Sequence, residues 1–149
     1  MRLFIASDHA GFKLKEELKG FIAGEGFEVE DIGTFGGEPC DYPDFAEKLC
    51  NKVLESNGKG ILVCGTGQGI SIAANKFKGI RASVCWNKFT AECAVEHGNA
   101  NVICLGERVV PFDVAKDIVG IFLNNKFSDA ERHVKRVEKI KMIEEKNFK

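Results

Sequence analysis

Five short apolar runs, at residues 3–7, 27–32, 60–64, 80–85 and 101–105, alternate with amphipathic stretches at 11–24, 42–56, 69–77, 88–97 and 111–125. That alternation limits the fold more than any other feature of the chain. The runs are short and apolar enough to read as strands, and the stretches between them have the length and periodicity of crossover helices. Parallel neighbouring strands need a covering crossover, so the pattern predicts an α/β sandwich built on a five-stranded parallel sheet. At 149 residues and 44% hydrophobic content, the chain is sized for one domain with a sizeable core, spanning residues 1–149. A tail from Ser128 adds an extended helix over about 129–147, opened by a predicted capping box of Ser128 and Glu131. Val134, Val137, Ile140 and Ile143 fall every third residue along it, an apolar stripe that either a partner subunit or the domain itself could cover.

In a sheet of order 2-1-3-4-5, ligands bind beyond the carboxyl ends of the strands, in the crevice between strands one and three. Strand one runs into SDHAG and strand three into CGTGQG. The polar residues Asp8 and His9 are therefore expected to face Cys64 and the glycine loop that follows it. Glycines at 65, 67 and 69 let backbone N–H groups approach a ligand with no Cβ between them, and ISIAAN then begins a helix with its positive end toward the loop. Such a loop suits an anion. It is not a Walker loop, because no Lys follows the last glycine, and its G-x-G-x-G spacing makes a poor dinucleotide fingerprint. A thiol at a helix N-terminus has its thiolate stabilised, which makes Cys64 a candidate base or nucleophile. Thr66 lies inside the loop, His97 closes the fourth helical stretch, and Arg132, His133 and Arg136 form a cationic patch on the last helix.

Each of these residues also has a plain structural reading. Cys64 could be a buried strand-end thiol, Asp8 a helix cap and His97 a cation at a helix C-terminus. Formal charge is −1, from 21 basic and 22 acidic side chains, so nothing draws the whole protein toward nucleic acid or an anionic membrane. The six cysteines contain no C-x-x-C pair and no zinc spacing, and read as reduced thiols of a cytoplasmic protein. The three histidines are too scattered to suggest a metal centre. No apolar stretch reaches membrane length.

The blocks SDHAGFKLKEEL, DYPDFA, CGTGQGISIAANKFKGIRA, EHGNANV, LGERVV and ERHVKRVEKI occur in order along nearly the whole chain. Together they closely resemble the ribose-5-phosphate isomerase B family, the C-G-T-G-x-G-x-S-I-A-A-N-K block most specifically. The resemblance implies a Rossmann-like domain forming homodimers or tetramers, with the active site between subunits and neither metal nor cofactor. It implies that Asp8 and His9 bind the sugar phosphate, that Cys64 is the base, and that Gly65, Gly67, Gln68 and Gly69 belong to an anion hole. By the same resemblance Thr66 assists proton transfer, His97 opens the furanose ring, Tyr42 lines the sugar, Arg108 lies near the site, and Arg132 and Arg136 hold the phosphate. The expected activity is interconversion of ribose 5-phosphate and ribulose 5-phosphate through an enediolate.

Two departures touch substrate handling. Gly98 stands in the substrate-binding position where the family usually has Asn, and Ala130 and Glu131 replace a Gly-Gly pair, with one extra residue. Relatives of this fold isomerise allose or galactose 6-phosphate, so a hexose phosphate is the rival substrate and a non-catalytic sugar-phosphate sensor the rival role. A phospho-acceptor receiver domain would need an acidic residue where Cys64 stands and a Lys where Gly106 stands. A flavin module would place its phosphate loop where Asp8 and His9 stand.

Overall fold

The computed structural model describes residues 1–148. Five parallel strands, β1 (Leu3–Ser7), β2 (Glu30–Gly33), β3 (Lys59–Cys64), β4 (Ala82–Val84) and β5 (Val102–Gly106), form one sheet. Helices α1 (Phe12–Gly24), α2 (Tyr42–Ser56), α3 (Gln68–Ala74), α4 (Lys88–Glu92) and α5 (Phe112–Asn124) cover its two faces, and α6 (Glu131–Asn147) follows. The predicted α/β class and parallel sheet are both present.

Alternation along the strands decides which side chain enters which layer, because successive residues point to opposite faces. Leu3, Ile5, Ile61, Val63, Ile103 and Leu105 pack with α1, α4 and α5. Phe4, Ala6, Leu62, Cys64, Val102 and Cys104 pack with α2 and α3. The central strands are buried on both faces, which explains why they read as continuous apolar runs.

The strand order is β2-β1-β3-β5-β4, which corrects the expected 2-1-3-4-5. All five residues of β5 are buried, whereas β4 is three half-buried residues long. The wholly apolar strand takes the interior and the short one the edge, where an unpaired backbone is tolerated. The swap leaves β1 beside β3, so the crevice at their carboxyl ends survives it.

One predicted detail near the C-terminus also changes. Helix α6 begins at Glu131 with Ala130 as its N-cap and no side-chain cap, so the capping box does not form. The Ser128 Oγ instead accepts the Ala130 N–H at 3.0 Å, a turn that starts two residues before the helix. The stripe on α6 is mostly exposed: Val134, Ile140 and Ile143 face outward, and only His133, Val137 and Glu144 turn toward the body. Glu144 anchors the far end by accepting the Gly79 N–H at 2.7 Å. Among the described residues no helix is long and apolar enough to cross a membrane.

Candidate active site

The turn after β1 and the loop after β3 meet across the crevice. Asp8 is buried, and its Oδ1 accepts the Gly11 N–H at 3.1 Å, capping a short 3-10 turn over His9–Gly11. Asp8 N–H in turn donates to the Val63 carbonyl, tying this turn to the end of β3. Gly11 fits there because a Cβ would meet the Val63 carbonyl oxygen at 2.5 Å. The His9 Nδ1 lies 3.1 Å from the Cys40 amide nitrogen and 3.2 Å from the Cys40 carbonyl oxygen. The ring is thus held through Nδ1 in either tautomer, which leaves Nε2 as the nitrogen available to a ligand.

The glycine loop has a role that its spacing does not reveal. Three side chains or backbone segments lie where its Cβ atoms would be. Arg108 Nη1 is 3.0 Å from the Cβ position at Gly65, and Tyr42 Oη is 2.6 Å from that at Gly69. Gly67 adopts φ +84°, a left-handed conformation that favours glycine, with the Leu105 and Gly106 backbone directly behind it. Backbone bonds from Glu107 N–H to the Cys64 carbonyl (2.9 Å) and from Arg108 N–H to the Gly65 carbonyl (3.0 Å) bring Arg108 into register with the loop.

The Cys64 thiol stands at the floor of this arrangement. Cys50, Cys64, Cys85 and Cys104 are all buried, but they are bonded differently. Cys50 and Cys85 donate S–H to carbonyl oxygens, and burial pushes both thiols up to about 12. Burial, with the neighbouring thiols behind it, also raises Cys104 well above its ordinary value. These three remain protonated near neutral pH. The Cys64 Sγ instead accepts a hydrogen bond, from the Gly67 N–H at 3.1 Å. The sulfur is thus an acceptor at Cys64, where those of Cys50 and Cys85 are donors.

Asp8, His9, Ala10, Tyr42, Cys64, Gly65, Thr66, Gly69 and Arg108 line one open cavity of about 310 Å³. Two predicted members of the loop are not on its wall: Gly67 contributes its amide to sulfur, and the Gln68 side chain is exposed. The Thr66 Oγ1 accepts the Gln68 N–H at 3.3 Å.

The remaining predicted residues lie elsewhere. His97 ends a π-helical turn, Cys93–His97, that continues α4 back toward the amino end of β5. Cys64 pairs with Gly106 at the carboxyl end of that same strand. His97 and Gly98 border a separate shallow cavity with Trp86, Phe89 and Cys93. Arg132 and Arg136 are exposed on the first turns of α6, beside His133. Reading His133 as part of an exposed cationic patch is corrected here: it is 6% exposed and its ring stacks on His97 with centroids 4.0 Å apart. One chain therefore carries the predicted site as two clusters, with Cys64 and His97 lining separate cavities.

Sequence reasoning also passed over Cys40, whose backbone holds His9, and a cluster of four charged side chains between α1 and β2. Lys15 is fully buried and bonds Asp31 and Glu16, while Lys19 reaches Asp31 at 2.8 Å. The Asp31–Lys contacts join α1 to β2. Helical spacing from Lys15 to Leu18 (i, i+3) and Ile22 (i, i+7) puts Lys15 on the apolar side of α1, a signal that could have flagged it.

A family model described as Ribose/Galactose Isomerase matches residues 3–140. The chain belongs to that family. It is 44% identical to Ribose-5-phosphate isomerase B of Escherichia coli, over 97% of each chain. It superposes on the Ribose-5-Phosphate Isomerase B of Clostridium thermocellum with a TM-score of 0.94 and 50% identity, covering 98% of this chain and 99% of that one. The Mycoplasma genitalium Ribose-5-phosphate Isomerase B, solved with bound ribulose 5-phosphate, matches with a TM-score of 0.91 and 40% identity, covering 98% of this chain and 97% of that one. Family membership covers both clusters, because residues 3–140 include Cys64, His97 and both arginines of α6.

Proposed function

We propose that the protein is an aldose–ketose isomerase interconverting D-ribose 5-phosphate and D-ribulose 5-phosphate by proton transfer through an enediolate. The observation that carries this reading is the polarity of the Cys64–Gly67 hydrogen bond, in a cavity already lined by Asp8, His9 and Thr66. Similarity to enzymes named ribose-5-phosphate isomerase B supports the pentose.

The Cys64 thiolate removes the proton from C2 of the open-chain aldose, and the electron pair moves to give the enediolate. The same sulfur then delivers a proton to C1, so one group acts as base and then acid. The anion is met by main-chain N–H groups of the loop at residues 65–69, each fixed donor contributing on the order of 3 kcal/mol to the transition state. Thr66 assists the transfer between the two oxygens, Tyr42 lines the sugar, and Asp8, His9 and Arg108 bind the substrate.

His97 opens the furanose ring, and Arg132 and Arg136 clamp the phosphate from a rigid helix, which costs less ordering than a mobile loop. These three belong to a second copy of the chain. Support comes from the separation of the two clusters: Cys64 is at the carboxyl end of β3, and the turn bearing His97 runs to the amino end of β5. A homodimer with its sites between subunits brings the clusters together, and the exposed Trp86, Phe89 and Val134 beside the second cluster give such a dimer apolar area to bury. The chain works as one isomerase domain in the cytoplasm, with α6 serving both the phosphate and the dimer.

The test is conversion of ribose 5-phosphate in D₂O, with allose 6-phosphate and galactose 6-phosphate in parallel. Deuterium at C1 of the ribulose 5-phosphate formed supports the enediolate. Product without deuterium, formed by intact hydride migration, overturns it, and faster turnover of either hexose phosphate overturns the pentose assignment.

A further inference from the structure

The stacked pair at the start of α6 has one partner that the mechanism above does not use. His97 is exposed and presents one ring face outward, while its other face lies on His133, 4.0 Å away and inclined by 26°. His133 is buried, and its Nδ1 has no hydrogen-bond partner. The two rings belong to segments that are independently fastened together: Ser128 N–H donates to the Glu96 carbonyl at 2.9 Å, and Asn125 Nδ2 reaches the Glu96 carboxylate at 3.4 Å. His133 N–H donates to the Ala130 carbonyl at 3.0 Å, fixing its place on the first turn of the helix. The platform is therefore anchored on both sides before any substrate arrives.

We propose that His133 is a positioning residue for the ring-opening step: its buried imidazole, stacked on His97, is the platform that fixes the orientation of the His97 ring. The proposal rests on the assignment of ring opening to His97. Burial is the main force holding His133 below its ordinary titration range, followed by His97, Arg132 and Arg136. A protonated His133 would also carry an N–H with nothing to donate to, so the cation is opposed by desolvation and by an unmade bond. Keeping the lower ring neutral matters for the upper one. A group that must both give and take a proton works best when no fixed positive charge is stacked on its face. A flat, rigid support also restricts rotation of an exposed imidazole that otherwise has many orientations open to it, and small errors of placement are costly in a proton transfer.

The experiment compares two rates in the full-length protein. One is exchange of the C1 proton of ribulose 5-phosphate with D₂O, which needs only the enediolate chemistry at Cys64. The other is net formation of ribose 5-phosphate, which ends in the closed ring. His97→Ala and His133→Ala should each raise the ratio of exchange to net conversion about tenfold or more, with net conversion in His133→Ala falling about 10- to 100-fold. His133→Phe keeps a flat buried ring and should hold both rates within about threefold of the parent. A role in stability alone would lower the two rates together. An unchanged ratio in His133→Ala, with a raised one in His97→Ala, overturns the proposal while leaving His97 in its role. An unchanged ratio in His97→Ala overturns the ring-opening assignment and the proposal with it. Failure of His133→Phe to restore the ratio, in protein with a native circular dichroism spectrum, also overturns it.

Discussion

Replacing the Cys64 sulfur separates its hydrogen bond to Gly67 from its proposed role as base. The sulfur of Cys64, a residue only 4% exposed, accepts the Gly67 N–H, so Cys64→Ala leaves that donor without a partner. An orphaned buried donor costs about 1–3 kcal/mol. For a domain of this size each kcal/mol lowers the melting temperature by about 2–4 °C, so the alanine variant should melt several degrees below the parent. Cys64→Ser keeps an acceptor in nearly the same place and should recover most of that loss. Neither variant has a group acidic enough to serve as base. Both should therefore lose about 10²- to 10⁴-fold in kcat, the usual contribution of a positioned general base. The assays are differential scanning calorimetry and a spectrophotometric assay of ribulose 5-phosphate formation. Turnover by Cys64→Ser within tenfold of the parent would remove the thiol from the chemistry. Equal melting temperatures for the alanine and serine variants would show that the Gly67 bond contributes nothing.

Mixing separately inactive Cys64→Ser and His97→Ala chains under conditions of subunit exchange should restore about one quarter of parental activity, because half the dimers are hybrids and each hybrid holds one intact site; no recovery would place both residues in the same chain's site. Gly106→Ala drives a Cβ to 2.5 Å from the Thr66 backbone, which cannot swing aside, so it should cost about 1–3 kcal/mol in stability and lower kcat. Gly69→Ala meets the half-exposed Tyr42 side chain instead, which can move, so its effect should appear in KM with little change in melting temperature. Asp31→Ala should destabilise the fold by about 3 kcal/mol by stripping the buried Lys15 ammonium of its closest carboxylate. Burial raises the Asp31 carboxyl, but hydrogen bonds from Lys15, Lys19 and the Gly33 amide outweigh it and hold the group below its ordinary value. Its stabilising contribution is therefore complete above about pH 4 and fades as pH falls further, an acid limb that Asp31→Asn should flatten in thermal melts. His133, also held low, contributes stability that is whole above about pH 6.5 and declines below it, and His133→Phe should remove that decline between pH 6.5 and 5.

The order of residues along the chain by itself determined the class of fold, the sheet and the half of the site built from local turns. Strand periods, crossover lengths and the glycines at 65, 67 and 69 all act within a few residues, so Asp8, His9, Cys64 and Thr66 could be brought to one crevice from pattern alone. Relations set by packing between distant segments were decided only in three dimensions. Which of β4 and β5 takes the interior depends on total burial, and a window of sequence shows both simply as apolar. The direction of the hydrogen bond at each thiol, which divides Cys64 from Cys50 and Cys85, depends on whether a carbonyl or an amide happens to face the sulfur. His133 looked like one more surface cation because its neighbours in sequence are Arg132 and Arg136; a ring 36 residues away in the chain makes it a buried neutral support. Local chemistry is written in short-range spacing, whereas burial and charge state follow from contacts that only the folded chain creates.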